Sequence, residues 1–411
     1  MYRFLTLFIL AAASSFFTGC LSEEVVIEAP DVDGFSNSLL LEFSAEEFRK
    51  LSRDLDIDQN IELASVEVPL HIGRSTNLSR IDQTSSDARK ALLGRVLFYD
   101  TRLSATGETS CASCHKQSAA FSDDVDFSMG INGQVTKRNS IALGSVPSFT
   151  PVISGYGSSP DGVQARVTGT VKFFWDERAE TIKEQSEATI QDEREMGRDL
   201  HELSNDLKQL EMYQILTMKA FGTTDLTHDR ITLALEKFTS SIVSMNTRFD
   251  KMADAAIVNS GNFGGFTASE RLGHRLFNQN CSSCHGRQMG KPNVNIANNG
   301  LAEVYADKGV GELTGSFSQN ALFKVPFLRN VALTGPYMHD GRFDSLREVI
   351  DHYSEGIAGH HNLSRQLKDT DGAPLKMNFS EEQKQALIDF LNMTTDETVL
   401  VDPRFSDPFR Q

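Results

Sequence analysis

Cys111-Ala112-Ser113-Cys114-His115 and Cys281-Ser282-Ser283-Cys284-His285 set two thiols and an imidazole in the same order at the same spacing. Each thiol can add to one vinyl group of a porphyrin, and the adjacent imidazole can then reach the iron. Cys-x-x-Cys-His is the attachment signature of c-type haem. Zinc is the competing use of paired cysteines, but zinc ribbons place their pairs much closer in sequence. The two motifs predict two covalently bound haem c groups, anchored by Cys111, Cys114, Cys281 and Cys284, with His115 and His285 as iron ligands. Electron transfer and peroxide chemistry are what such a pair could do.

The surrounding elements repeat. Leu93-Gly94-Arg95-Val96-Leu97-Phe98 precedes the first motif and Leu272-Gly273-His274-Arg275-Leu276-Phe277 the second. Both fit Leu-Gly-x-x-Leu-Phe, and each is expected on a helix running into its cysteines. Ala88, Ala91, Leu92, Val96 and Phe98 give the first of these a helical apolar face. Further helices are expected over Ala179–Ile190, Leu200–Met218 and His228–Met245, and a short one over Ala45–Leu55. Gly, Ser, Asn and Asp in residues 122–163 and 286–319 predict long loops. Ser260-Gly261-Asn262-Phe263-Gly264-Gly265 reads as a junction. The fold class is mostly α, with two tandem cytochrome c-like haem domains and long loops, over residues 86–255 and 256–395. A tether and N-terminal segment (20–85) precedes them, and a C-terminal tail (396–411) follows.

Hydrophobic residues make up 39% and charged residues 23%, as in a globular protein. The net charge of -16 excludes nucleic acid as a natural partner, because phosphate binding needs a basic patch. An acidic surface can steer a basic donor protein, or simply keep the chain soluble. Four of the five cysteines lie in the motifs. The fifth, Cys20, follows Arg3, an apolar stretch from Phe4 to Ala13, and Phe16-Phe17-Thr18-Gly19. Residues 1–19 read as a secretory signal, either that of a bacterial lipoprotein with Cys20 as the acylated residue or one that is simply cleaved. The expected location is periplasm-facing, on the outer membrane through a lipid anchor.

Several ordered blocks give the chain a family resemblance. They are Leu97-Phe98-Tyr99-Asp100-Thr101-Arg102-Leu103-Ser104, Phe173-Phe174-Trp175-Asp176-Glu177-Arg178-Ala179, Glu195-Met196-Gly197, Lys324-Val325-Pro326-Phe327-Leu328-Arg329-Asn330, and Thr334-Gly335-Pro336-Tyr337-Met338-His339-Asp340-Gly341. From about Leu92 to Leu391 the sequence resembles the bacterial dihaem cytochrome c peroxidase and MauG family. The resemblance implies that the first haem is peroxidatic and that Glu195, twenty residues after Trp175, is its distal acid–base group. A solvated glutamate in the acidic run Asp192–Glu195 is the plain alternative. Gln185 matches a second distal position, and Thr189 stands where relatives have proline. Trp175 would lie between the haems, as relay, as structural residue, or both.

Switching peroxidases carry a ligating histidine where this chain has Ile131, so the resemblance implies an open sixth position at the resting first haem. Tyr353, fourteen residues past His339, matches the tyrosine ligand of MauG-like members. Its helix should open at the capping box Ser345-Leu346-Arg347-Glu348 and carry Leu346, Val349, Ile350 and Tyr353 on one face. Met338, Met289 and Met377 are rival ligands. Asn139, with the carbonyls of Thr334 and Pro336, matches an inter-domain calcium site of the family. The implied function is a peroxidase reducing H2O2 with electrons from a small cytochrome c or copper protein. The alternatives are a MauG-like oxidase that modifies Trp or Tyr of a partner protein, storing oxidising equivalents at both irons, and a plain electron-transfer cytochrome. A homodimer is compatible with each.

Overall fold

Two threonines start the helices that lead into the cysteine motifs. Thr84 accepts a hydrogen bond from Asp87 N at the head of Ser85–Tyr99, and Thr267 forms a capping box with Glu270 at the head of Ala268–Asn280. Each lead helix crosses a later helix, His228–Ser241 in the first half and Glu381–Asn392 in the second. The repeated glycine explains the crossing. A Cβ on Gly94 would lie 1.9 Å from Ala234 O, and one on Gly273 would lie 1.8 Å from Ala386 O. The repeated phenylalanine closes the same contact. Phe98 meets Phe238 at 5.1 Å between ring centroids, and Phe277 meets Phe390 at 5.2 Å.

The computed structural model describes residues 26–28, 38–41, 43–72, 80–143, 152–158, 164–170, 172–258, 264–287, 289 and 292–410. Cys20 and the signal expected over residues 1–19 lie outside them. The architecture is mostly α. Strands Val26–Glu28, Ser38–Leu41 and Asn60–Leu63 form a small antiparallel sheet, and Ile296–Ala297 pairs with Phe323–Lys324 beside the second motif. No described helix is long and apolar enough to cross a membrane.

Several expected boundaries move. Leu200–Met218 is two helices, Leu200–Leu207 and Glu211–Phe221. The break lets Leu203 and Leu207 on one side, and Tyr213 and Leu216 on the other, enter the same core. Strands Val152–Ser158 and Gln164–Thr170 form an antiparallel hairpin within and just beyond the stretch expected as loop. The division at 255/256 falls inside helix Arg248–Val258, whose Phe249 and Ala253 pack with Phe266, Phe277 and Phe390 in the second core. The helix at the start of the chain's described core, Ala45–Leu51, is shorter than expected.

Both flanking segments belong to the first core. Phe43, Leu51, Leu55 and Ile61 of the N-terminal segment are buried in it, while the tether expected over residues 30–34 lies outside the described residues. Val399 and Phe405, expected in a tail, are buried there too. Asp56 N donates to Pro408 O at 2.6 Å, and Tyr99 donates to Phe405 O at 2.6 Å.

The halves meet along a tight seam. Asn139 N donates to His339 O at 2.9 Å and Lys324 N to Trp175 O at 2.7 Å. Arg138 is held between Asp176 at 2.5 Å and Asp307 at 2.6 Å. Nearby, Arg329 pairs with Asp250 at 2.6 Å, both fully buried. His71 lies 3.2 Å from that carboxylate and ties the N-terminal segment to the pair.

Candidate functional site

Both motifs open into one cavity of about 710 Å³ along this seam. Each sits on a single turn of helix, Cys111–Cys114 and Ser282–His285. His115 Nδ1 lies 3.0 Å from the carbonyl of Phe121, and His285 Nδ1 lies 3.1 Å from that of Pro326. A carbonyl can only accept, so Nδ1 carries the proton and Nε2 keeps its lone pair. Burial lowers the pKa of His115 and pushes that of His285 down to about 4. Both imidazoles are therefore neutral, as metal ligation requires.

The four motif cysteines are free of disulfides. Burial pushes Cys111 up to about 12, Cys114 to about 11 and Cys281 to about 12. The cavity wall between the motifs is largely apolar, with Phe98, Leu235, Phe277, Leu346 and Leu387 along it. An apolar cavity with two sets of two thiols and one oriented imidazole fits two haem c groups.

The first end carries a carboxyl. Glu195 sits on a turn closed by Glu195 N→Asp192 O at 3.0 Å and Gly197 N→Asp192 O at 2.8 Å. Burial, then the charge of Asp192, pushes its pKa up to about 7, against a hydrogen bond from Thr189 and the charge of Arg178. Its charge is felt at Cys111 and Cys114, which places it on the first motif's side. Gln185 and Thr189, on helix Ile182–Gln191, line the same part of the cavity. Ile131 is outside the lining. Its amide donates to Glu195 O at 3.2 Å, and its Cδ1 lies 2.5 Å from where a Gly197 Cβ would stand. The residue at the family's histidine position is thus packing behind the Glu195 turn.

Trp175 spans the seam. Its indole N–H donates to Asn139 O at 2.8 Å, and its ring meets that of His339 edge-on at 6.5 Å. His339 in turn stacks on Phe323 at 3.7 Å.

Tyr353 lines the second end. The capping box forms as expected, and the α-helix runs Leu346–Asp351. Residues His352–Gly356 then form a π-helical turn, a feature sequence periodicity does not encode. Leu346, Val349, Ile350 and Tyr353 nonetheless all face the cavity. Burial raises the phenol well above its usual range, against the neighbouring Asn299 side chain, which lowers it. Among the rival sulfurs, Met338 and Met377 line the cavity, while the buried Met289 does not.

Asn139, Thr334 and Pro336 border the same cavity. The Asn139 amide nitrogen donates to the carbonyls of Val125 and Asp126 at 3.2 and 3.3 Å. That leaves its oxygen as the atom a hard cation would take. Among the described residues no cluster of three or more His, Cys, Asp or Glu side chains forms a metal site. Arg138, Asp307, Asn299 and the Asp250–Arg329 pair escaped the sequence reading. Arg329 lies inside a quoted block and Arg138 precedes Asn139, but their partners are distant in sequence. Nothing local marks Asn299.

Residues 88–256 match the family described as di-haem cytochrome c peroxidase. The chain is 31% identical over 275 residues to the cytochrome c551 peroxidase of Nitrosomonas europaea, covering 65% of this chain and 73% of that one. It is 28% identical over 306 residues to the methylamine utilization protein MauG of Methylophilus methylotrophus, covering 74% and 81%. The crystal structure of a MauG-like protein associated with microbial copper homeostasis matches with a TM-score of 0.63 at 28% identity, over 78% of this chain and 93% of that one.

Proposed function

Because the chain belongs to the di-haem cytochrome c peroxidase family, we propose that it reduces H2O2 to water with electrons from a small redox protein, using Glu195 as distal acid–base group. The observation that carries this reading is a carboxyl buried at the first motif's end of the cavity with its pKa near 7. When bound, haem c supplies the iron and the electrons with which the O–O bond is split. Glu195 then takes the proton from the near oxygen of H2O2 and delivers it to the leaving oxygen. A pKa close to working pH serves both steps, since the group must accept and return the proton. With two electrons and two further protons, both oxygens leave as water.

Gln185 orients the bound oxygen from helix Ile182–Gln191. The two cytochrome c-like domains divide the labour: the first performs the chemistry, and the second receives electrons from a cytochrome c or copper protein. Trp175, with His339 beside it, relays between them. Ca²⁺ held by Asn139 and the carbonyls of Thr334 and Pro336 keeps the seam in register. Cys20 anchors the protein by lipid, facing the periplasm from the outer membrane.

The alternative, a MauG-like oxidase modifying a partner's Trp or Tyr, is favoured by Tyr353 at the second end and by Ile131 outside the cavity. A hard anionic phenolate favours ferric and higher iron, whereas Met/His ligation raises the potential. Turnover of H2O2 with reduced cytochrome c, lost in Glu195→Gln, supports the peroxidase. Slow donor turnover with a covalently altered partner supports the oxidase. Electron paramagnetic resonance of the ferric holoprotein tests what both share, and the expected result is one high-spin and one low-spin centre. Two low-spin centres would remove the basis for either enzyme.

A further inference from the structure

Asn299 lies at the second end of the cavity, just after strand Ile296–Ala297. Its backbone carbonyl accepts a hydrogen bond from His352 Nε2 at 3.0 Å. His352 opens the π-helical turn that carries Tyr353, so the contact fixes Asn299 relative to that turn. The side chain reaches two groups. Its amide nitrogen donates to Met338 Sδ at 3.3 Å, and the same side chain favours the ionised form of the Tyr353 phenol against the rise that burial causes. One residue thus binds, through its carboxamide, a thioether that could complete the coordination begun by His285 and, through its carbonyl, the turn that carries the phenol.

Met338 is held in an unusual way. Its φ of 76° lies in the left-handed region that a methionine rarely adopts. Its carbonyl accepts from Gly341 N at 3.3 Å, and the flanking Tyr337 and Phe343 pair as an antiparallel bridge. The turn fixes where the Met338 side chain leaves the backbone, and the contact with Asn299 fixes where its sulfur ends. A thioether is a weak acceptor with a second lone pair left over, so what the contact with Asn299 does is hold the sulfur in one place.

We propose that Asn299 is a positioning residue that selects the axial partner of the second haem, holding the Met338 thioether aside and keeping the Tyr353 phenol in place. This rests on the reading of Tyr353 as that partner. Removing the amide frees the sulfur. The iron–phenolate bond is then exchanged for an iron–thioether bond, and the departing phenolate takes a proton from solvent. No change of oxidation state is needed. The exchange should raise the second haem's potential, because a neutral soft ligand replaces an anionic hard one.

The test uses ferric holoprotein, read by optical absorption, electron paramagnetic resonance and potentiometric titration. Asn299→Leu should lose the phenolate-to-iron charge-transfer band, gain a thioether-to-iron band, and titrate at a higher potential. Asn299→Asp keeps the shape but offers no N–H, and should lose the phenolate band too. Adding Met338→Leu to Asn299→Leu should abolish the thioether band. Should Asn299→Leu and Asn299→Asp keep the wild-type spectrum while Tyr353→Phe removes the phenolate band, the selector role is overturned and Tyr353 ligation stands. A wild-type spectrum unchanged by Tyr353→Phe overturns the ligation reading, and the selector role with it. Persistence of the thioether band in the double variant overturns the role of Met338.

Discussion

The two halves share a scaffold and differ in what they point at the cavity. In both, a capped helix brings Leu-Gly-x-x-Leu-Phe against a later helix. The glycine sits on a backbone carbonyl, and a phenylalanine pair lies beside it. In both, the motif histidine is held by a carbonyl at Nδ1. Beyond that the first half adds a carboxyl near neutrality, whereas the second adds a phenol and two thioethers. The common parts hold a cofactor. In the proposed function the differing parts would offer that cofactor a proton carrier at one end and a ligand at the other.

Glu195→Gln attacks the difference directly. Loss of a positioned proton carrier should lower kcat/KM for H2O2 by about 10²–10⁴-fold, with the second haem's spectrum unchanged. An unaffected rate would erase the functional contrast between the halves. The buried pair Asp250–Arg329, within the second half, tests what an enclosed ion pair contributes there. Burial alone would raise the Asp250 carboxyl, but Arg329 overrides this and holds it well below its ordinary value of 3.8. Asp250→Asn leaves Arg329 unpaired and should cost about 3–5 kcal/mol in urea unfolding at neutral pH. A depressed carboxyl stabilises the fold above its unfolded value and loses that contribution as pH falls through its folded one. The gap between wild type and variant should therefore shrink below pH 3.8.

Gly94→Ala and Gly273→Ala probe the similarity. Each forces a methyl onto a backbone carbonyl, and overpacking of this kind costs about 1–3 kcal/mol. Denaturant midpoints should fall by like amounts. A large effect at one glycine only would show that the two crossings are not equivalent. The smallest effect is the pH profile. The raised Glu195 must be ionised to accept a proton, so the peroxide reaction should rise through pH 7 and then level off. From one unit below to one unit above, the ionised fraction grows about tenfold. A flat profile would assign the proton transfer to another group.

Local geometry was legible wherever residues close in sequence set it. Cys-x-x-Cys-His, the Leu-Gly-x-x-Leu-Phe repeat and the capping box at Ser345 each encode a local geometry, and the structure has each. Helix Ser85–Tyr99 follows from its periodicity and its cap. What stayed hidden depends on distant partners. Gly94 reads as a helix weakness until Ala234 lies against it. Asp250 reads as a surface charge until Arg329 and His71 enclose it. Leu200–Met218 reads as one helix because both pieces bury leucines at helical spacing, and only the common core reveals the bend. The π-helical turn at Tyr353 and the contacts of Asn299 carry no periodic signal.

The last residues have a consequence for how the molecule is made. Val399 and Phe405 complete the packing around Phe98 and Phe121, and Gln117 reaches forward to the carbonyl of Val399 at 3.0 Å. The core of the first half is therefore completed only by residues that follow the second half in the chain. A stop codon shortly after Asn392 would spare the part of the gene nearest to it and injure the part read first.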